Sequence, residues 1–136
     1  MPGRKRVLYV EDNKDTSFLG GFILERSGFD VVSARGFSDA LMLASKYSFD
    51  VYLLDALLPD GNGIDLCRRI RETDADTPIV FFSARGYQRD KEQAFAAGAQ
   101  AYVSKPALPE ELINTINDVL GISGAGSDAS GSSLQP

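Results

Sequence analysis

Residues 51–63 read VYLLDALLPDGNG, a stretch in which an apolar run leads directly into a carboxylate and a turn. The apolar run from Val51 to Leu54, with Phe49 just before it, predicts a strand that is buried on both faces. Asp55 ends that strand. Because a buried carboxylate without a partner costs several kcal/mol or becomes protonated, Asp55 is a helix or turn cap, a paired structural acid, or a functional group.

The composition limits the class of protein. The chain has 136 residues, of which 43% are hydrophobic, and this suits one domain with a substantial core. Its net charge of −5 argues against a nucleic-acid-binding surface, because phosphate contacts need clustered lysine and arginine. The one cysteine, Cys67, excludes an internal disulfide and lies on an apolar helical face, so we expect it to pack in the core of a protein from a reducing compartment.

No segment of the sequence looks like a membrane anchor or a leader. No apolar stretch approaches the roughly 18 residues that span a bilayer, and no signal peptide precedes the first predicted strand. We therefore expect a cytoplasmic protein without membrane insertion.

Short apolar strands alternate with amphipathic helices five times along the chain, which is the pattern of a parallel sheet covered by helices on both faces. The predicted strands are 6–11, 30–34, 50–55, 78–83 and 100–104, and the predicted helices are 14–27, 38–47, 63–73, 88–97 and 109–120. This alternation predicts a flavodoxin-like, doubly wound α/β fold with strand order 2-1-3-4-5.

Glycines agree with most of these boundaries. Gly28 and Gly98 follow predicted helices at positions where left-handed C-caps are common. The pair Gly20–Gly21 instead lies inside the first predicted helix, where each glycine costs up to about 1 kcal/mol relative to alanine. We expect close packing to be the reason for this pair.

The composition changes after Leu120. Of the thirteen residues from Gly121 to Ser133, nine are glycine or serine. Such a segment is typical of a flexible tail or of a linker to a further domain. We therefore predict a folded domain over residues 1–121 and a Gly/Ser-rich tail or linker over residues 122–136.

Chemically useful side chains lie at the ends of four of the five predicted strands or directly after them. Glu11 and Asp12 end the first strand, Asp55 the third, Ser83 the fourth and Lys105 the fifth. In a doubly wound sheet, ligands bind beyond the carboxyl ends of the strands, where the strand order reverses. Since the first and third strands are neighbours at that point, we expect the three carboxylates to converge.

Three carboxylates in close contact repel one another, so a positive charge must lie among them. Lys105 supplies one charge and leaves a formal surplus of two negative charges, which a divalent cation would cancel. Oxygen ligands, with no histidine and no accessible cysteine, favour Mg²⁺ or Mn²⁺ over zinc. Ser83 and Lys105 could then contact the oxygens of a phosphoryl group, and Asp55 would be the nucleophile. Each residue alone could be a cap or a solvated loop residue, but together they predict a metal-assisted acyl phosphate site.

These residues lie in motifs that resemble the receiver domains of two-component response regulators. The resemblance covers residues 5 to about 121. Four motifs carry it in the order and spacing of that family: VEDN at 10–13, LLDALLPDGNG at 53–63, FFSARG at 81–86 and YVSKP at 102–106.

The resemblance implies a phosphoacceptor site. Glu11, Asp12 and Asp55 would bind Mg²⁺ together with the main-chain carbonyl of Leu57. Asp55 would accept the phosphoryl group from a phosphohistidine on a sensor histidine kinase or a histidine phosphotransfer protein. Such a domain is not an enzyme in the usual sense, because it catalyses only its own phosphorylation and dephosphorylation.

The resemblance also implies a switch. Ser83 and Lys105 would contact the phosphoryl oxygens, and the Lys105–Pro106 peptide bond would be cis. Tyr102 matches an aromatic switch position that turns inward when Ser83 moves toward the phosphate. The change would alter the surface formed by the fourth helix, the fifth strand and the fifth helix, which a downstream output domain or protein would read.

A second interpretation places the chain in a different class. Haloacid-dehalogenase-like phosphatases also use an aspartate nucleophile at a strand end together with Mg²⁺. That class expects a second acid two residues after the nucleophile, where this sequence has Leu57, and it expects a cap domain or a longer chain. The receiver interpretation therefore accounts for more of the residues.

Overall fold

Five parallel strands form the central sheet of the computed structural model, which describes residues 3–122. The strands are β1 (Arg6–Val10), β2 (Asp30–Ala34), β3 (Val51–Leu54), β4 (Ile79–Ser83) and β5 (Ala101–Ser104). The helices are α1 (Lys14–Arg26), α2 (Phe37–Lys46), α3 (Gly63–Arg71), α4 (Gln88–Ala97) and α5 (Pro109–Leu120). The spatial order β2-β1-β3-β4-β5 confirms the predicted doubly wound fold.

The sheet separates two apolar layers. One layer joins a face of the sheet to α2, α3 and α4, and the other joins the opposite face to α1 and α5. Leu112 and Ile116 of α5 are buried in the second layer, as their helical spacing predicts. β3 lies between β1 and β4 and all four of its residues are buried, which explains why its sequence is continuously apolar.

Cys67 packs in the first layer, as expected from the apolar face of its helix. Its side chain is fully buried, and its thiol donates a weak hydrogen bond to the carbonyl of Ala97 at 3.4 Å. Burial raises the pKa of the thiol to about 11. Cys67 is therefore a packing residue that joins α3 to α4.

The predicted ranges 30–34, 88–97 and 109–120 match the structure, and the other predicted boundaries differ from it by at most two residues, but one element was not predicted at all. Strands β1 and β3 end at Val10 and Leu54, so the acids that follow them lie just past the sheet. The missed element is a hairpin in which Leu57–Leu58 pairs antiparallel with Gly61–Asn62. Strands of two residues are too short to produce an alternating pattern, so periodicity could not reveal them.

Glycine roles are confirmed at three of the four positions discussed above. Gly28 and Gly98 have φ values of 100° and 115°, in the left-handed region that favours glycine. Gly20 faces the buried ring of Tyr9, and a Cβ at Gly20 would lie 2.6 Å from the Tyr9 hydroxyl and 2.8 Å from a ring carbon. Gly21 is different, because a Cβ there would have no neighbour within 4 Å.

The predicted tail at 122–136 lies almost wholly outside the described residues, and the division at residue 121 stays a prediction. Among residues 3–122, no helix combines the length and the apolar character that crossing a bilayer requires.

The two neighbouring glycines of α1 offer a matched test of packing. We expect Gly20→Ala to lower the free energy of unfolding by about 1 to 3 kcal/mol, because the new methyl group overlaps the ring of Tyr9, which is only 1% exposed. Gly21→Ala should instead raise it by up to about 1 kcal/mol, because alanine is the better helix former. Urea denaturation of both variants measures the difference, and equal stability of the two would contradict the packing argument.

Candidate functional site

Backbone hydrogen bonds at the carboxyl edge of the sheet fix three of the predicted site residues. The N–H of Glu11 donates to Ala34 of β2 at 3.0 Å, and the N–H of Asp55 donates to Val10 of β1 at 3.1 Å. The N–H of Lys105 donates to Ser83 of β4 at 2.9 Å. Each residue therefore extends the strand ladder by one bond, and the sheet itself sets where its side chain begins.

Lys105 brings the charges of two strand ends together. Its Nζ donates to Oε1 of Glu11 at 2.5 Å and to Oδ2 of Asp55 at 3.3 Å, and it lies 5.1 Å from the ring centroid of Phe82. The side chain of Glu11 is only 3% exposed. Burial raises the pKa of Glu11, while hydrogen bonds from Lys105 and from the N–H of Asn13 oppose that rise. The lysine thus compensates carboxylates that would otherwise lie close together in a poorly solvated place.

Glu11, Asp12 and Asp55 form one cluster of oxygen ligands. One carboxylate oxygen from each residue lies within 4.8 Å of the others, and Asp12 is the exposed member. Three negative charges and the one positive charge of Lys105 leave a formal charge of −2. The donor set therefore fits a divalent cation that prefers oxygen, as the sequence predicts for Mg²⁺ or Mn²⁺.

Leu57 lies at the start of the short hairpin, beside this cluster. The residue is 53% exposed, and its N–H donates to Oδ1 of Asp55 at 3.2 Å. Asp55 therefore has one oxygen held by a backbone amide and the other facing the ammonium group of Lys105. The role of the Leu57 carbonyl as a metal ligand stays a prediction.

Ser83 and Tyr102 meet through the backbone of Arg85. Ser83 is fully buried, and its Oγ accepts a hydrogen bond from the N–H of Arg85 at 3.2 Å. The hydroxyl of Tyr102 donates to the carbonyl of Arg85, and its ring stacks on Phe81 with centroids 5.5 Å apart. Burial raises the pKa of Tyr102, so this hydroxyl is a donor at neutral pH. The two predicted switch residues, which lie in β4 and β5, therefore both hydrogen-bond to the backbone of Arg85 in the loop before α4.

The Lys105–Pro106 peptide bond is cis, the isomer that the resemblance implies. This peptide follows directly after β5, at the same edge of the sheet as the acidic cluster.

Sequence reasoning missed an ion pair between the loop and α4. A guanidinium nitrogen of Arg85 lies 3.4 Å from Oδ1 of Asp90, whose side chain is 12% exposed. The second oxygen, Oδ2 of Asp90, is buried and accepts no hydrogen bond in the described part of the chain. An acid in the first turn of a helix is common in any surface helix, so the sequence carried no signal of its burial.

A family model and curated relatives both match most of the described chain. Residues 7–117 match the family model described as the response regulator receiver domain. The phosphate regulon transcriptional regulatory protein PhoB of Escherichia coli is 33% identical over 118 residues, covering 85% of this chain and 52% of PhoB. The transcriptional regulatory protein TrcR of Mycobacterium tuberculosis is 36% identical over 115 residues, covering 85% of this chain and 45% of TrcR. This chain therefore spans about half the length of the curated relatives it matches.

Solved structures show the same likeness. A response regulator receiver domain protein (CheY-like) from Methanospirillum hungatei superimposes with a TM-score of 0.84 at 26% identity, covering 88% of this chain and 95% of the other. A putative response regulator from Chloroflexus aurantiacus gives a TM-score of 0.83 at 30% identity, covering 87% of this chain and 98% of the other.

The acidic cluster makes a testable prediction about Mg²⁺. We expect Asp12→Asn to raise the Mg²⁺ dissociation constant by about tenfold or more, since removing even an indirect partner of a metal costs about that much. Asp15→Asn is the matched control, because Asp15 is also an exposed acid but lies in the first turn of α1, outside the cluster. Calorimetric titration measures both constants. Equal Mg²⁺ affinity of Asp12→Asn and the wild type would exclude Asp12 from the site.

Proposed function

The chain belongs to the response regulator receiver domain family, and we propose that Asp55 accepts a phosphoryl group from a phosphohistidine of a sensor histidine kinase or a histidine phosphotransfer protein. One observation carries this proposal. The carboxylate of Asp55 lies between two further acids and the ammonium group of Lys105, 3.3 Å from Nζ. A nucleophilic carboxylate beside a cation and other oxygen ligands is what an acyl phosphate site requires.

The transfer needs only a few groups of this chain. Asp55 attacks phosphorus as a carboxylate and forms an O–P bond, while the P–N bond of the donor breaks and its electron pair stays on the imidazole nitrogen. Lys105 can donate hydrogen bonds to the new phosphoryl oxygens because its Nζ already faces Asp55. Ser83 supplies a hydroxyl from the neighbouring strand end. Dephosphorylation reverses the modification when water takes the phosphoryl group from Asp55.

The residues that would hold Mg²⁺ are Glu11, Asp12, Asp55 and the carbonyl of Leu57. When bound, the ion supplies positive charge that offsets repulsion between the carboxylates and the incoming phosphoryl oxygens. Mn²⁺ prefers similar oxygen ligands and is the alternative ion.

The family has a signalling role, and we propose that the domain turns over no separate substrate. The phosphatase interpretation lacks its second acid, since the residue two positions after Asp55 is Leu57. The relatives PhoB and TrcR are named transcriptional regulators and are about twice as long as the matched segment. We propose that the output domain or protein, rather than this acidic domain, contacts any nucleic acid. We place the exchange in the cytoplasm, the reducing compartment that a single unpaired cysteine favours.

We propose that phosphorylation switches the surface formed by α4, β5 and α5. The hydroxyl of Ser83 now accepts from the N–H of Arg85, and Tyr102 donates to the carbonyl of the same residue. A phosphoryl oxygen would accept a hydrogen bond from the Ser83 hydroxyl and draw that side chain toward Asp55, which would pull its oxygen away from the N–H of Arg85 and release one side of this loop segment. Because the Arg85 side chain pairs with Asp90, the change would reach α4.

Phosphorylation of Asp55 is directly testable. We expect acetyl phosphate and Mg²⁺ to add one phosphoryl group to the wild-type protein, and we expect Asp55→Asn to remove it, because an amide is a poor nucleophile. Intact mass and peptide mapping measure the label. Circular dichroism is the control, because Asp55→Asn must be folded before loss of the label can be attributed to the missing carboxylate. A full label in that variant on a residue outside the cluster would contradict the assignment.

The switch makes a second prediction. With beryllium fluoride as a phosphoryl mimic, we expect amide chemical shifts to change at Tyr102 and Asp90 as well as around Asp55. Tyr102→Phe keeps the ring but removes the hydrogen bond to Arg85, and should weaken the coupling by about 1 kcal/mol, or about fivefold in the equilibrium between the two states. Tyr47→Phe, at the far end of α2, is the matched control. Shifts confined to the acidic cluster would refute the coupling.

A further inference from the structure

We propose that Asp60 is a positioning residue for the phosphorylation site, because it ties the hairpin that carries Leu57 to the start of α2. This inference rests on the proposed function, since it assigns Asp60 a part in placing a predicted metal ligand. Asp60 lies at the tip of the hairpin, between its two short strands. It contributes no atom to the acidic cluster.

The contact is a helix cap supplied from a distant part of the chain. Oδ1 of Asp60 accepts from the N–H of Phe37 at 2.6 Å, and Oδ2 accepts from the N–H of Ser38 at 3.1 Å. The residue at the N-cap of α2 is Gly36, which has no side chain to offer these amides. The two amides lower the pKa of Asp60, so it is charged at neutral pH and also favoured by the helix dipole.

Two glycines leave the space for this contact. A Cβ at Gly36 would lie 2.6 Å from Oδ1 of Asp60, and a Cβ at Gly61 would lie 2.8 Å from the ring of Phe37. Gly36 has a φ of −164°, an extended value that any residue adopts, so its backbone does not demand glycine. Glycine at these two positions therefore leaves room for the Asp60 carboxylate and the Phe37 ring where the hairpin approaches α2.

The junction matters to the site because it adds two hydrogen bonds at the outer end of the hairpin, where Leu58 also packs partly buried against the first apolar layer. At its base, the N–H of Leu57 donates to Asp55 and the N–H of Gly63 donates to the carbonyl of Ala56 at 2.8 Å. Leu57 itself is more than half exposed, so burial of its side chain contributes little to holding the hairpin. With the base and the tip both anchored, these bonds resist rotation of the hairpin and help to keep the peptide groups of Leu57 in their direction relative to Asp55.

Asp74 provides a matched control for this role. Its Oδ1 also accepts from two backbone amides, those of Asp76 at 3.1 Å and Thr77 at 3.0 Å. Asp74 lies between α3 and β4, at the amino edge of the sheet, so it is remote from the acidic cluster. Loss of either carboxylate removes two backbone hydrogen bonds, but only loss of Asp60 frees the hairpin.

The experiment compares Asp60→Ala, Asp60→Asn and Asp74→Ala by Mg²⁺ calorimetry, urea denaturation and the ¹⁵N-amide shift of Leu57 in metal-free protein. We expect Asp60→Ala to raise the Mg²⁺ dissociation constant about tenfold, because loss of a residue that orients a metal ligand weakens metal binding by at least about that factor. We also expect it to change the amide chemical shift of Leu57. Asp60→Asn keeps one accepting oxygen and should show a smaller effect on both. Asp74→Ala should lose stability while keeping the wild-type Mg²⁺ affinity and Leu57 shift.

Two outcomes would overturn the inference. One is an unchanged Leu57 shift and Mg²⁺ affinity in both Asp60 variants, and the other is an equal loss of affinity in Asp74→Ala. If Asp60→Ala fails to fold, Asp60→Asn decides the question. Failure of the proposed function would look different, because wild-type protein would then take no phosphoryl group from acetyl phosphate, whereas the Leu57 shift requires no phosphorylation.

Discussion

The ion pairs that Lys105 makes with Glu11 and Asp55 are the interaction on which the site depends. They connect residues that follow three different strands, and β5, which carries the lysine, lies two strands away from β3. The backbone amides of all three residues are bonded to the neighbouring strand, so their positions are fixed by the sheet and not by flexible loops. A shift of register in any of these strands would separate the charges and leave Glu11 buried without compensation.

The segment that follows Ser83 is bordered by buried polar groups that lack hydrogen-bond partners in the described part of the chain, whereas the buried oxygens of Glu11 and Asp55 are hydrogen-bonded. Among the described residues, two buried side-chain oxygens lack a hydrogen-bond partner, Oδ2 of Asp90 and Oγ of Ser104. Both border the segment that leads from β4 into α4, since Ser104 lies against Gly86 and Asp90 pairs with Arg85. Unsatisfied groups weaken the preference for one arrangement, so this segment is the part of the site most suited to adopt a second one.

The sequence predicted the parts of the molecule that depend on local pattern. Apolar runs of four or five residues located the strands, and the residues at their ends located Glu11, Asp55 and Lys105 to within one position of the sheet. The contact of Asp60 with α2 was not predictable. Its carboxylate accepts from two amides that lie 23 and 22 residues earlier in the sequence. Asp60 also belongs to a hairpin whose strands are too short to produce a periodic pattern. The Arg85–Asp90 pair was missed for a similar reason, since burial of an acid depends on tertiary packing. Gly20 and Gly21 look identical in the sequence, and only the position of Tyr9 separates them.

Cys67 gives this fold a built-in reporter of its own opening. The chain contains no other cysteine, and this thiol lies fully buried between α3 and α4 with a pKa raised to about 11. A thiol reagent reacts with the thiolate and needs access to it, so the native state is protected on both counts. The rate at which a thiol reagent labels Cys67 therefore measures how often the packing of α3 and α4 opens, without an engineered cysteine and without denaturant.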